Sequence, residues 1–155
     1  ILGDFQKKFD NYDNVQDEVR NFLDKLNIFE DVEPQSHQTD ADLLAVDAFL
    51  YRLNAKKLFY TRSLPDSFGI YLTSSTQDKW NIKGCLMMNH VKMNLTVKSG
   101  GIEDLLIVLW ATFLALDVAV EHPCLKMIGA IVNKEKENLS NDLLELSQKL
   151  RYFIS

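Results

Sequence analysis

Between the pair Gly100-Gly101 and the step His122-Pro123 runs IEDLLIVLWATFLALDVAVE, and no charge interrupts it from Leu105 to Leu116. A segment that is apolar on every face satisfies its own backbone as a helix and must then be surrounded, by lipid or by the core of a protein. Lipid demands roughly 20 apolar residues in a row with few charges. Here Glu103 and Asp104 precede the uncharged part, and Asp117 and Glu121 follow it. A charge held at the bilayer centre costs about 2.5 to 3.5 kcal/mol. The segment is therefore expected to be a central buried helix near 102–121, the spine of one folded domain.

The rest of the chain has to supply what surrounds that spine. With 155 residues, 46% hydrophobic and 25% charged, it has the length and composition of a single soluble domain, able to bury about two-thirds of its unfolded surface without staples. Lys plus Arg number 17 against 22 Asp plus Glu, so the chain is acidic with a net charge of -5. That balance argues against a general affinity for nucleic-acid phosphates or anionic lipid. Cys85 and Cys124 are widely spaced, each in an apolar setting. Buried free thiols in a reducing compartment are expected rather than a disulfide. Asn94-Leu-Thr96 and Asn138-Leu-Ser140 match the glycosylation sequon, a pattern common by chance, and no n-region and h-region open the sequence. The expected location is cytoplasmic. Opening on Ile1 rather than Met fits a processed product or a module of a longer protein.

One domain over 1–155 is expected, built from an N-terminal amphipathic helical segment (1–29), a connector (30–40) and an α+β core (41–155). In the first segment Leu2, Phe5, Phe9 and Tyr12 recur at steps of three and four, and Val15, Val19, Phe22, Leu23 and Leu26 continue the stripe after a slip in phase. The spacing predicts a helix with a kink or short break between Tyr12 and Val15, where Asp13 and Asn14 are poor helix formers. Thr39 and Asp42 resemble a capping box with Asp in place of Glu or Gln. A second helix is expected to follow, carrying Leu43, Leu44, Val46, Phe49, Leu50 and Leu53 to about Lys57.

From Leu58 the pattern changes to short apolar runs cut by turn residues, which predicts strands over Leu58–Thr61 and Ile70–Ser74. Val91, Met93, Leu95 and Val97 alternate with Lys92, Asn94, Thr96 and Lys98, the mark of a strand with one buried and one wet face. Ile82–Met88 is more continuously apolar and is expected to be the central strand, turned back at Asn89-His90. After the spine, Pro123 opens a helix holding Leu125, Met127, Ile128, Ile131 and Val132, and a last helix presents Leu139, Leu143, Leu146, Leu150 and Phe153. The predicted fold class is α+β, with about five helices flanking a small, mainly antiparallel sheet.

Two constellations carry candidate chemistry. Asp117 and Glu121 stand one turn apart if the spine helix continues through them, with His122 adjacent. Buried there, two carboxylates could share a proton or hold a metal, although a polar helix edge and a frayed helix end account for them better, since no third ligand stands at helical spacing. Lys98, Ser99, Gly100 and Gly101 form a strand-to-helix junction whose backbone amides are the parts of an anion site. Against that reading, Glu103 and Asp104 would repel an incoming phosphate, and a tight turn capped by Gly100 and completed by Glu103 explains the glycines. Arg52, Lys56, Lys57 and Arg62 cluster near the end of the second helix, where cations complement the helix dipole.

No cofactor loop, metal framework or nucleophile elbow is recognised, so no catalytic, cofactor or metal residue is assigned. The leading expectation is a non-enzymatic regulatory or adaptor domain that acts by binding another protein or a second copy of itself. Its partner-binding residues would be Leu2, Phe5, Phe9 and Tyr12, an aromatic stripe of the kind that anchors helix-in-groove contacts. The same stripe is core if the first helix packs on the sheet. The main rival is a small enzyme or ligand-sensing domain with its pocket near Asp117 and Glu121 or the Gly100-Gly101 turn. A third reading, nucleic-acid binding through Lys56, Lys57 and Arg62, runs against the acidic net charge.

Overall fold

Val15, Val19, Phe22, Leu23 and Leu26 fall on one face of helix α1 (Tyr12–Phe29) and are buried, as their spacing of three and four requires. The computed structural model describes residues 12–35, 37–66, 68–72, 81–88, 91–98, 101–119, 121–134 and 139–150. Helix α1 is continuous across Asp13 and Asn14, so the expected break between Tyr12 and Val15 is absent. Low helix propensity there costs a few tenths of a kcal/mol per residue, which packing of the apolar face outweighs.

Helix α2 (Gln38–Arg52) presents Ala41, Asp42, Ala45, Val46, Phe49 and Leu50 to the core, while Leu44 is exposed. The face differs from the expected one because Asp42 is turned inward. The capping box is also corrected: His37, not Thr39, is the N-cap, and the Asp42 carboxylate reaches Arg20 on α1. Phe22 of α1 and Phe49 of α2 meet edge to face, their centroids 6.1 Å apart, a geometry worth about 0.5–1.5 kcal/mol beyond the area it buries.

The sheet has the order β1-β2-β3-β4, with β1 (Phe59–Tyr60), β2 (Phe68–Leu72), β3 (Asn81–Met88) and β4 (Val91–Lys98). Strand β3 is paired on both sides and antiparallel to both neighbours, the central position its apolar sequence implied. Met88 pairs with Val91, and the expected turn at Asn89-His90 lies outside the described residues. Strands β1 and β2 are parallel, so the sheet is mixed. Gly69 makes that approach feasible: at φ 144° it takes a conformation disfavoured for L side chains, and a Cβ there would lie 2.5 Å from the Tyr60 ring.

Helix α3 (Ile102–Ala115) is the expected spine, with Ile102, Leu105, Leu106, Ile107, Leu109, Trp110, Ala111 and Phe113 all buried. It packs against α1, α2 and α4 (Pro123–Asn133). Pro123 stands at the start of α4, where its missing N–H costs nothing. Helix α5 (Asn141–Lys149) is capped by the Ser140 hydroxyl, which accepts from the Leu143 amide, and buries Leu143 and Leu146. Buried residues of all five helices and of β1, β2 and β3 form one contiguous core, a single α+β domain. Among the described residues no helix is long and apolar enough to cross a membrane.

The spine ends six residues before Glu121, and its ending has a clear cause. Asp117 adopts the left-handed conformation (φ 54°), its amide donates to the Leu114 carbonyl at 3.1 Å, and the Val118 amide donates to the Phe113 carbonyl at 3.0 Å. These two bonds make a Schellman motif, which satisfies the last carbonyls and turns the chain out of the helix. Asp117 and Glu121 are therefore not a turn apart on one helical face, as the continuous apolar run implied. Both are exposed.

Candidate functional site

The Schellman turn at the end of α3 shapes one wall of a surface cleft. Its characteristic contact joins the residue two past the cap to the last turn of the helix, and here those residues, Val118 and Phe113, both line the cleft. Phe68 on β2 packs edge to face on Phe113, with centroids 6.0 Å apart, and its other neighbour is the His122 ring at 5.6 Å. Met88, Ala55 and Pro123 complete the apolar lining, and Lys56, Ala119 and Glu121 stand at its margin. The cleft holds about 430 Å³. Glu121 is the only residue singled out from sequence as a ligand contact that the described structure places here.

His122 is the one titratable ring in this lining, and hydrogen bonds fix its state. Its Nδ1 accepts from the Cys124 amide at 3.2 Å, which makes it the N-cap of α4, and its Nε2 lies 3.1 Å from the Lys56 carbonyl oxygen. An oxygen acceptor on one side and an N–H donor on the other select the neutral imidazole with its hydrogen on Nε2. Burial holds its pKa below the ordinary histidine value, against the opposing pull of the Lys56 carbonyl. With both nitrogens engaged, the ring offers the cleft its face and edge rather than a lone pair. Cys124, fully buried beside it, has its thiol pushed up to about 12 by burial and is unreactive at neutral pH. Both cysteines are free and buried, as their setting in the sequence implied.

A second polar constellation, which the sequence did not single out, lies between α1, α2 and the start of α3. Arg20 grips Asp42 with two parallel bonds, Nη1 to Oδ2 at 2.7 Å and Nη2 to Oδ1 at 2.6 Å, and also reaches Glu103 at 3.0 Å and Asp24 at 3.0 Å. Asp42 is 1% exposed and receives further bonds from Asn27 and Gln38, both at 3.0 Å. Burial alone would lower the Arg20 pKa; the Asp42 hydrogen bonds and the charges of Asp42, Glu103 and Asp24 overcome it and hold the guanidinium above its ordinary value. For Glu103 burial dominates and raises its pKa, with Asp104 and Asp42 adding to the rise while its backbone bond and Arg20 oppose it. The fork geometry on the buried Asp42 marks this as a clamp between helices.

The Gly100-Gly101 junction meets the same network. Lys98 ends β4, and Ser99 and Gly100 lie outside the described residues. Gly101, not Gly100, is the N-cap of α3, and Asp104 rather than Glu103 closes the turn, accepting from the Gly101 amide at 3.2 Å and from Gln16 at 2.9 Å. An anion approaching this helix start would face Glu103 and Asp104. The aromatic stripe expected to bind a partner falls almost wholly outside the described residues: Leu2, Phe5 and Phe9 precede them, and Tyr12 is the first residue of α1. The cations near the end of α2 are dispersed. Arg52 pairs with Glu30 at 2.9 Å and stacks over the Phe29 ring at 4.9 Å, Lys57 lies 4.0 Å from Asp47, and Lys56 borders the cleft. Among the described residues no group of three His, Cys, Asp or Glu side chains is arranged to hold a metal ion. No protein-family model, curated protein or solved structure matches the chain.

Proposed function

We propose that this domain acts as a regulatory or adaptor module in the cytoplasm, binding a partner protein through the cleft between β2, the end of α3 and the start of α4. The observation that carries the proposal is the lining. Phe68, Phe113, Met88, Val118 and Pro123 leave an open apolar recess in which the one ring that could do acid-base work has both nitrogens engaged. Such a recess suits an apolar or aromatic side chain of a partner, the usual anchor of a protein interface. The described apolar stripe of α1 is committed to the core, which favours the cleft over that helix as the docking surface. Two buried free thiols favour a reducing compartment.

A plug tests this. Ala119 is exposed at the margin of the cleft, and Ala119→Trp is expected to fill the recess without touching the core. Affinity capture from native lysate, with wild-type and Ala119→Trp baits of matched thermal transition, should retain a specific partner on the first and lose it from the second. Partners held equally by both baits would remove the cleft as a protein-docking surface. A second reading, a small apolar ligand in the same recess, is favoured by its size, since ligand pockets run from about 300 to 1,000 Å³. Under that reading the two baits capture alike, and neutral apolar compounds raise the melting temperature of the wild type only.

A further inference from the structure

His122 joins two parts of the cleft that are distant in sequence. Through Nε2 it closes the segment after α2 onto the start of α4, and through Nδ1 it caps α4 itself. Its ring packs on Phe68, so the imidazole is part of the cleft and not merely near it. The bond to Nδ1 exists only for the neutral ring. An imidazolium carries a hydrogen on Nδ1 that points at the Cys124 N–H, donor against donor, and it sets a positive charge at the positive end of the α4 dipole. The Lys56 carbonyl can still accept from Nε2, so protonation would release one side of the junction and not the other.

The charges around the ring are few. Among the described residues, the segment after α2 contributes Lys56, the connector from α3 contributes Asp117 and Glu121, and the first turns of α4 contribute Lys126. Strand β2 and helix α3 meet the ring side of the cleft with Phe68 and Phe113, which carry no charge. All four stand at partly or fully exposed positions where water screens them, and burial and the Lys56 carbonyl set the ring's pKa. The loss of the cap is thus the dominant consequence of protonation.

We propose that His122 is a proton-operated latch on the cleft: neutral, it holds the start of α4 in place against Lys56 and Phe68; protonated, it lets go of the α4 cap and the cleft loses its shape. Only its consequence for binding rests on the cleft being the docking surface. Burial keeps the latch closed at neutral pH, and acidification opens it.

The experiment is an NMR titration of the whole chain from about pH 7.5 to about pH 5, with indole, uncharged throughout, as the apolar probe. At the upper end the His122 ring nitrogens should report the Nε2–H tautomer. On acidification the Cys124 amide should shift with the ring, at a shared midpoint below 6.5. Indole affinity, read from the Phe68 and Val118 amides, should fall about fivefold, the equivalent of a helix cap worth about 1 kcal/mol. His122→Asn keeps a capping oxygen and cannot titrate, so it should bind indole equally at both ends. An Nδ1–H tautomer at pH 7.5, a Cys124 amide that stays still while the ring titrates, or equal indole affinity before and after protonation overturns the latch. Absence of indole binding at either pH, with the Cys124 amide following the ring, leaves the latch standing and overturns the cleft as a docking surface.

Discussion

Without Arg20, the Asp42 carboxylate, 1% exposed in the folded protein, would keep only the neutral donors of Asn27 and Gln38. Leaving one member of a buried pair behind is far more damaging than the pair is stabilising, because the orphaned charge keeps its desolvation cost. Arg20→Ala is expected to lower the unfolding free energy by about 3 kcal/mol, the low end of the range for buried pairs because Arg20 itself is partly exposed. Equilibrium urea unfolding measures it. Glu103 should behave oppositely, although it touches the same guanidinium. Its folded pKa is raised above 4.5, so the folded state favours the protonated form; the associated stability is present below the unfolded value and is lost as pH rises through the folded one. Glu103→Gln is accordingly expected to leave stability at pH 7 unchanged or to raise it by up to about 1 kcal/mol, with any gain gone by about pH 4. A loss at pH 7 comparable to that of Arg20→Ala would mean that attraction to Arg20 outweighs the burial of Glu103. Neither role was legible in the sequence. Arg20 sits on the polar edge of an amphipathic stripe, where an arginine needs no explanation, and Asp42 stood at a spacing that local capping accounted for. Only the packing of α1 on α2 brings positions 20 and 42 together.

At the scale of elements, a helix start was legible where proline marked it. Pro123 opens α4 where its fixed backbone predicts. The ends at Phe29, Arg52 and Ala115 all turn through left-handed residues that are not glycine, namely Asp31, Asn54 and Asp117. Sequence rules look for Gly at this position, because it alone adopts φ > 0 without a steric cost. An Asp inside an apolar run instead looked like a polar residue on a continuing helix, and a functional carboxylate pair was built on that continuation. The same fact gives a test. Asp117→Gly is expected to raise stability by about 0.5–1 kcal/mol, relief of left-handed strain less the extra entropy glycine brings to the unfolded chain, and Asp117→Val to lower it by about 1 kcal/mol. Thermal unfolding of the two variants measures both, and indole binding should be untouched in the glycine variant because the Val118–Phe113 turn is kept. Stability lost in Asp117→Gly would show that the carboxylate, rather than the backbone, is what position 117 requires.

For the whole molecule the sequence was most informative where a pattern had a single outcome. A run apolar on all faces had to be central, and α3 indeed packs against α1, α2 and α4; alternation at 91–97 and the apolar run before it had to be adjacent strands, with the longer-buried one inside. The parallel pairing of β1 with β2 had no such signal, because it depends on how closely Gly69 lets Tyr60 approach. The cleft was likewise hidden, since Phe68, Phe113 and His122 come from three separate stretches and each reads locally as core or helix end. A contiguous core through all these elements makes a claim about cooperativity. Gly129 of α4 faces Trp110 of α3 so closely that a Cβ would lie 2.7 Å from the indole Nε1. Gly129→Ala gains about 1 kcal/mol of helix propensity yet is expected to destabilise by about 1–3 kcal/mol net, because a well-packed core cannot admit a methyl group without moving a ring. If the core acts as one unit, that loss is shared by every element. Urea midpoints read by tryptophan fluorescence and by far-UV circular dichroism should shift together, with no change in the slope of the transition. Midpoints that separate in Gly129→Ala would instead show α3 and α4 melting as a unit of their own, with α1, α2 and the sheet held together by other contacts.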